Sequence, residues 1–176
     1  MKKRGIIDAQ RRSFAAAGRG IGLCLSAEPH MRFHTAAAVA VLCLSPFFEL
    51  DAVRYAVLLL TFALVIAAEM VNTALERITD VQSPTYSAHA AAVKDIAAGA
   101  VLVCAIFAVG VGVCLFHSAE GWARVIRFFG VSLLRQLGGL ALIALLVVYV
   151  RPGPAALCRR WTRRRQPNHS ERNSHS

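Results

Sequence analysis

The sequence predicts an all-α fold, a small polytopic membrane helix bundle with an N-terminal amphipathic surface helix, three core transmembrane helices and an extra fourth. Three observations carry that expectation. Of 176 residues, 56% are hydrophobic and the mean hydropathy is +0.51, too apolar for an ordinary soluble domain. Several apolar runs are long enough to cross a bilayer, for example YAVLLLTFALVIAA at 55–68. The formal charge of +10 gathers in Arg clusters at the two ends of the chain. The apolar spans between those clusters make lipid headgroups their expected partner, and no nucleic acid is expected.

The N-terminus, MKKRGIIDAQRRSF, has a basic start without a continuous apolar core, so it does not read as a cleavable secretion signal. Phe14, Ile21 and Leu25 recur at helical spacing against Arg11, Arg12 and Arg19, which predicts an amphipathic helix lying on the inner leaflet. On the residues alone it either presents groups to a site at headgroup depth or serves as a solvated basic arm. Glu28 precedes Pro29, which restricts it to extended backbone and suits a helix start, so Glu28 falls at the junction of surface helix and first span. The first span is read as His34 to Phe48 and the second as Tyr55 onward. The third runs from about Ala91 to Phe116, where small residues in AAGA and GVG predict close helix approach. A surface-lying helix is expected from Glu120 to Leu134, then a fourth span from Leu137 to Val150, preceded by Arg135 and Gln136. Past Trp161 the polar, basic tail is expected to be disordered. The resulting division is 1–29 surface helix, 30–117 transmembrane core, 118–151 extra helical region and 152–176 tail.

Counting cations orients the chain. With the N-terminus inside, the outer segments hold only Arg54, Arg124, Arg127 and Arg135, so both termini are expected in the cytoplasm together with Glu28, Glu76 and Lys94. The five cysteines have no paired spacing and read as packing residues, and His30 with His34 reads as a headgroup contact. No GxxxxGK[ST] occurs, so a nucleotide site would have to be built without a P-loop.

The densest polar signal is EMVNTALERITD. Glu69, Asn72, Glu76 and Asp80 follow one another at intervals of three, four and four and therefore share one helix face, growing out of an uncharged apolar run. A short turn, VQSPTYS, then returns the chain so that Lys94-Asp95 comes back towards the carboxylates. Phosphoryl transfer needs divalent metal on phosphate oxygens, a cation, and a carboxylate able to orient or deprotonate a hydroxyl. Glu76 and Asp80, about 6 Å apart along the axis, could face a metal, and Glu69 about 10 Å from Glu76 leaves room for a phosphoryl group, with Asn72 in the gap. The alternative is that the stripe only polarises the end of a membrane helix.

ExxNTAxExxxD followed by AxKDxAAGAV resembles the signature of the bacterial integral-membrane diacylglycerol kinase and undecaprenol kinase family. SFAAAGRGI at 13–21 and AEPHMRFHTAAAVAVL at 27–42 extend the likeness to about residues 13–116, and GRGI with RFHTAAAVAVL resembles the undecaprenol kinase branch. The resemblance implies a lipid kinase of the bacterial cytoplasmic membrane that transfers phosphate from ATP, with Mg2+, to a lipid alcohol. Undecaprenol is favoured, diacylglycerol is the alternative, and a non-catalytic helical assembly module is the rival of another class. Carried over residue by residue, it makes Glu69 catalytic, Glu28 and Glu76 metal ligands on the ATP phosphates, Tyr86, Lys94 and Asp95 nucleotide contacts, and Asn72 and Asp80 supporting groups. It also implies a homotrimer with shared sites. The chain departs from the pattern at Ser87, where the family often has His, and at Ala9, where it has Arg. The family core has three spans, so the fourth lies outside the likeness and is expected to be dispensable for chemistry.

Overall fold

The computed structural model describes residues 2–82 and 87–151, and among them every regular element is helical. In chain order these are α1 (Lys2–Ala27), α2 (Pro29–Leu44) with a 3-10 turn at Ser45–Phe48, α3 (Ala52–Gln82), α4 (Ala88–Leu115), α5 (Ala119–Gly130) and α6 (Leu133–Val150). Pro29–Phe48, Ala52–Gln82, Ala88–Leu115 and Leu133–Val150 are each long and apolar enough to cross a membrane. The chain is thus the predicted helical bundle with a basic leading helix. Tyr86 and the tail at 152–176 lie outside the described residues.

The α1–α2 junction forms where Pro29 demands it. Glu28 is extended (φ −100°, ψ 118°) with Pro29 in the first turn of α2, and its side chain makes no capping bond. Along α1, Phe14 is 78% exposed and Ile21 is exposed, so the apolar face of that helix is left for something other than this chain, as a surface helix requires. The first span begins earlier than the expected His34, because Pro29 starts the helix and the polar Pro29–Arg32 segment is its first turn. At its far end Glu49 adopts a left-handed conformation (φ 50°) that reverses the chain into α3.

At 31 residues α3 is about 46 Å long, well beyond the roughly 30 Å of hydrocarbon it must cross, so its last turns project past one side. Helix α4 returns along α3 and buries Ala97 and Val101. It starts at Ala88, one turn before the expected Ala91, because Ser87 Oγ accepts from the Ala90 N–H and the Ala run that follows propagates well. Lys94-Asp95 therefore lies nearly two turns inside the helix rather than at its opening. Of the small α4 residues expected to permit close helix approach, Ala97 is buried in the packing along α3, whereas a Cβ at Gly99, Gly110 or Gly112 would meet nothing within 4 Å. Close approaches occur instead at Gly121, against the Phe48 ring, and at Gly139, against the Phe129 ring.

The helix expected on the membrane surface corresponds to α5, which ends at Gly130 rather than Leu134. Leu133, Leu134, Arg135 and Gln136 belong to α6, whose first turn is set by extended Ser132 accepting from the Arg135 and Gln136 N–H groups at 3.0 and 3.1 Å. Arg135 is accommodated because its guanidinium sits 4.6 Å over the Phe128 ring and donates to the Phe128 carbonyl. The core lies at this end, where Phe48, Leu50 and Leu58 are buried with Phe116 and Val125 packed on them. Cys24 is buried, Cys43 and Cys114 are exposed, and none of the described cysteines is in a disulfide.

Candidate active site

Away from the aromatic end, the last polar turns of α3 face the α1–α2 junction. Glu69 and Thr73 are the most buried polar residues of α3, 3% and 2% exposed, and Thr73 Oγ1 donates to the Glu69 carbonyl at 3.0 Å. Thr73 thereby turns its hydroxyl back along the helix and leaves the Glu69 carboxylate free. The groups close enough to act on Glu69 electrostatically are His30, Glu28 and Glu76. Two carboxylates from α3 and one from the head of α2 therefore share one region, drawn from residues 41 positions apart at the closest. Asn72 Nδ2 donates to Glu76 Oε1 at 2.9 Å, an i,i+4 contact that orients Glu76.

No ion pair among the described residues involves Glu28, Glu69 or Glu76; the three that occur are Arg54–Asp51, Lys94–Asp80 and Arg124–Glu49. Carboxylates gathered in a half-buried place without a cation are unfavourable until one arrives. Asn72 Oδ1 adds a second unmet demand, being buried with no hydrogen-bond partner. Hard oxygen donors of this kind fit Mg2+, which is commonly held by one or two carboxylates plus substrate phosphates. They do not make a stand-alone metal cage, for no group of three or more His, Cys, Asp and Glu among the described residues converges to hold an ion.

Lys94 does return to the stripe, pairing its ammonium with Asp80 one turn beyond Glu76. Both partners are substantially exposed, so the pair is worth no more than about 1 kcal/mol. Asp95 is exposed beside it. The structure thus brings together Glu28, Glu69, Asn72 and Glu76 in one group and Asp80 with Lys94 in a second, adjacent along α3. His30 and Thr73 were missed. His30 follows Glu28 by two residues in a segment that reads as headgroup contact, and Thr73 is a common helix residue in an NTA triplet; only the fold reveals that they border Glu69.

Four helices long and apolar enough to cross a membrane, with carboxylates at one end that no ion pair among the described residues neutralises, define a class, a helical integral-membrane protein with an acidic site. The family model for prokaryotic diacylglycerol kinase matches residues 15–116, well over half of the chain, and this chain belongs to that family of lipid kinases. Two relatives are similar over the same region. A diacylglycerol kinase of Synechocystis sp. (strain ATCC 27184 / PCC 6803 / Kazusa) is 42% identical over 104 residues, 58% of this chain and 59% of the relative. An undecaprenol kinase of Bacillus subtilis (strain 168) is 36% identical over 105 residues, 60% of this chain and 85% of the relative. The match thus spans about three fifths of the Synechocystis protein's length. No solved structure matches the chain. Every candidate site residue falls inside 15–116, whereas α5, α6 and the whole segment after Phe116 fall outside it.

Proposed function

We propose that the protein is an ATP- and Mg2+-dependent kinase of a membrane lipid alcohol. The observation that carries the reading is the unneutralised group of Glu28, Glu69 and Glu76 beside the orphaned Asn72 Oδ1, in a chain of the lipid kinase family. Glu28 and Glu76 would hold the Mg2+ of the nucleotide, with Asn72 fixing Glu76 by its hydrogen bond. Bound there, the metal supplies charge neutralisation on the transferring phosphoryl group. Glu69, the most buried of the three, faces the lipid hydroxyl, orients it and takes its proton as the new O–P bond forms and the bond from the γ-phosphorus to the β,γ-bridging oxygen breaks, releasing ADP. Lys94, released from Asp80, meets the nucleotide phosphates, and Asp95 and Tyr86 complete the nucleotide contacts.

Glu69 stands at the boundary between the apolar part of α3 and its polar end, which is where the headgroup of an embedded lipid meets water. Both termini and the site lie on the cytoplasmic face in this reading, as ATP requires. The contact between Arg32, near the start of α2, and the last carbonyl of α6 supports an even number of crossings. A homotrimer would cover apolar faces of α3 and α4 and enclose the nucleotide from a neighbouring protomer. The two relatives are named for different lipids; the GRGI and RFHTAAAVAVL segments favour undecaprenol, with diacylglycerol as the second candidate. The test is transfer of labelled γ-phosphate to undecaprenol and to diacylglycerol in mixed micelles, with and without Mg2+. Labelled lipid with at least one acceptor is expected; its absence with both would overturn the kinase reading and favour a non-catalytic assembly module.

A further inference from the structure

Arg32 follows Glu28 by four residues and is 6% exposed, yet it is in no ion pair among the described residues. The hydrogen bonds its guanidinium makes all go to main-chain oxygens at helix ends. Nη1 donates to the carbonyls of Leu25 and Ser26, both at 3.2 Å, in the last turn of α1. Nε donates to the carbonyl of Val150, the last residue of α6, at 3.4 Å. Carbonyls in the last turn of a helix lack intrahelical donors and carry the negative end of the helix dipole, so one buried cation answers two helix termini at once. One turn further along α2, Thr35 Oγ1 lies 3.2 Å from Tyr149 Oη.

These contacts matter because α6, although it packs along α2 and α5 and has Arg135 held on Phe128, is otherwise joined to the start of α2 by no side-chain hydrogen bond among the described residues. No residue of α6 is buried, and its far end is held by Phe129 of α5 against Gly139. Between the two sets of bonds made by Arg32 lies Glu28, whose N–H donates to the Cys24 carbonyl at 2.9 Å and whose carbonyl accepts from the Arg32 N–H at 3.3 Å. Side-chain and backbone bonds of Arg32 together fasten the end of α1 to the start of α2 and set the direction in which the uncapped Glu28 side chain projects.

Resting on the lipid kinase reading above, we propose that Arg32 is a positioning residue for Glu28 and that α6 is the brace it works against. On this proposal the segment outside the family core contributes to the geometry of the Mg2+–nucleotide site. That reverses the expectation that the fourth span is dispensable for chemistry. Val150 O and Tyr149 Oη keep the guanidinium and the first turns of α2 in register; without them, Arg32 retains only its bonds to α1, and the Glu28 junction gains freedom.

Inserting one Ala after Ala144 in the full chain rotates the end of α6 by about 100° and carries Tyr149 and Val150 off their partners while preserving a membrane-length helix. Tyr149→Phe removes the hydroxyl contact alone, and Arg32→Lys keeps the charge but cannot reach carbonyls on two helices in the same fork geometry. Amide hydrogen exchange reads the junction without any need for activity. Amides 26–33 should exchange about tenfold faster in the insertion variant, with amides 75–79 of α3 unchanged. The Mg2+ concentration for half-maximal turnover should rise about tenfold, the lipid KM should not move, and excess Mg2+ should restore most of kcat. Arg32→Lys should fall between wild type and insertion, and Tyr149→Phe should shift both readouts least. Unchanged exchange and unchanged Mg2+ dependence in the insertion variant would overturn the proposal, as would exchange rising equally in α3, which marks a merely structural role. A wild-type protein that phosphorylates no lipid alcohol would instead defeat the functional reading, and the exchange result would still decide whether α6 braces the junction.

Discussion

Where α2 turns into α3, Phe48 is packed edge-on between Phe116 and Trp122, and Arg124 is met by both the Phe47 carbonyl at 2.7 Å and Glu49 at 2.8 Å. About 26 Å further along α3, Glu69 is just as deeply buried, yet no cation among the described residues meets it or its neighbours. One end of the bundle satisfies its aromatic rings and its arginine within the chain. The other keeps three carboxylates without a cation among the described residues and the Asn72 amide oxygen without a partner. Packing stability does not require the second arrangement, and burial of acids without a cation opposes it, which is why the proposed function places the ligand at that end. The contrast also separates the arginines: Arg124 ties α5 to the turn after α2 through the Phe47 carbonyl and Glu49, Arg135 is held by nearby Phe128, and Arg32 joins three helices beside the carboxylates.

Three substitutions sharpen the contrast, in order of expected effect. Glu69→Gln should lower single-turnover phosphate transfer by about 10²–10⁴-fold, the range for a general base, without loss of thermal stability. A loss of only tenfold would be too small for the role assigned to Glu69. Gly121→Ala sets a Cβ against the buried Phe48 ring, which Phe116 and Trp122 prevent from moving aside, and should cost about 1–3 kcal/mol of stability. Turnover per folded molecule should stay at the wild-type level, measured by thermal denaturation beside a kinase assay; a change in turnover as large as that of Glu69→Gln would join the two ends functionally. Asp80→Asn removes the partner of Lys94 and should change stability by less than about 1 kcal/mol, since the pair is exposed. Nucleotide affinity should hold or rise slightly as Lys94 is freed, and a strong fall would show that Asp80 itself meets the nucleotide complex.

Much of this was legible because membrane helices announce themselves by apolar length and because a helix face is read at intervals of three and four. The Asn72–Glu76 bond follows directly from that spacing, and the Lys94–Asp80 pair from a chain that must turn back within a few residues. Helix ends were less legible, since Pro29–Arg32 looks too polar for a span and Arg135-Gln136 looks like a break, although both lie inside helices. Arg32 carries no signal in the sequence beyond its charge. Its partners are main-chain carbonyls 6, 7 and 118 positions away, and because every residue carries a carbonyl, such contacts leave no trace in residue types. Close approach at glycine was expected in α4 but depends on which helix arrives opposite, and the rings of Phe48 and Phe129 arrive at Gly121 and Gly139 instead.

The central claim is that the carboxylates at the Glu69 end divide between holding the metal–nucleotide complex and acting on the lipid hydroxyl. Mg2+-dependent binding of a non-hydrolysable ATP analogue, measured on Glu69→Gln and Glu76→Gln beside their single-turnover rates, tests it most directly. Glu69→Gln should bind the analogue as wild type does while losing turnover, because what Glu69 supplies is needed at the transition state. Glu76→Gln should lose Mg2+-dependent binding itself. Equal loss of nucleotide binding in both variants would make Glu69 a further part of the metal site and contradict the division.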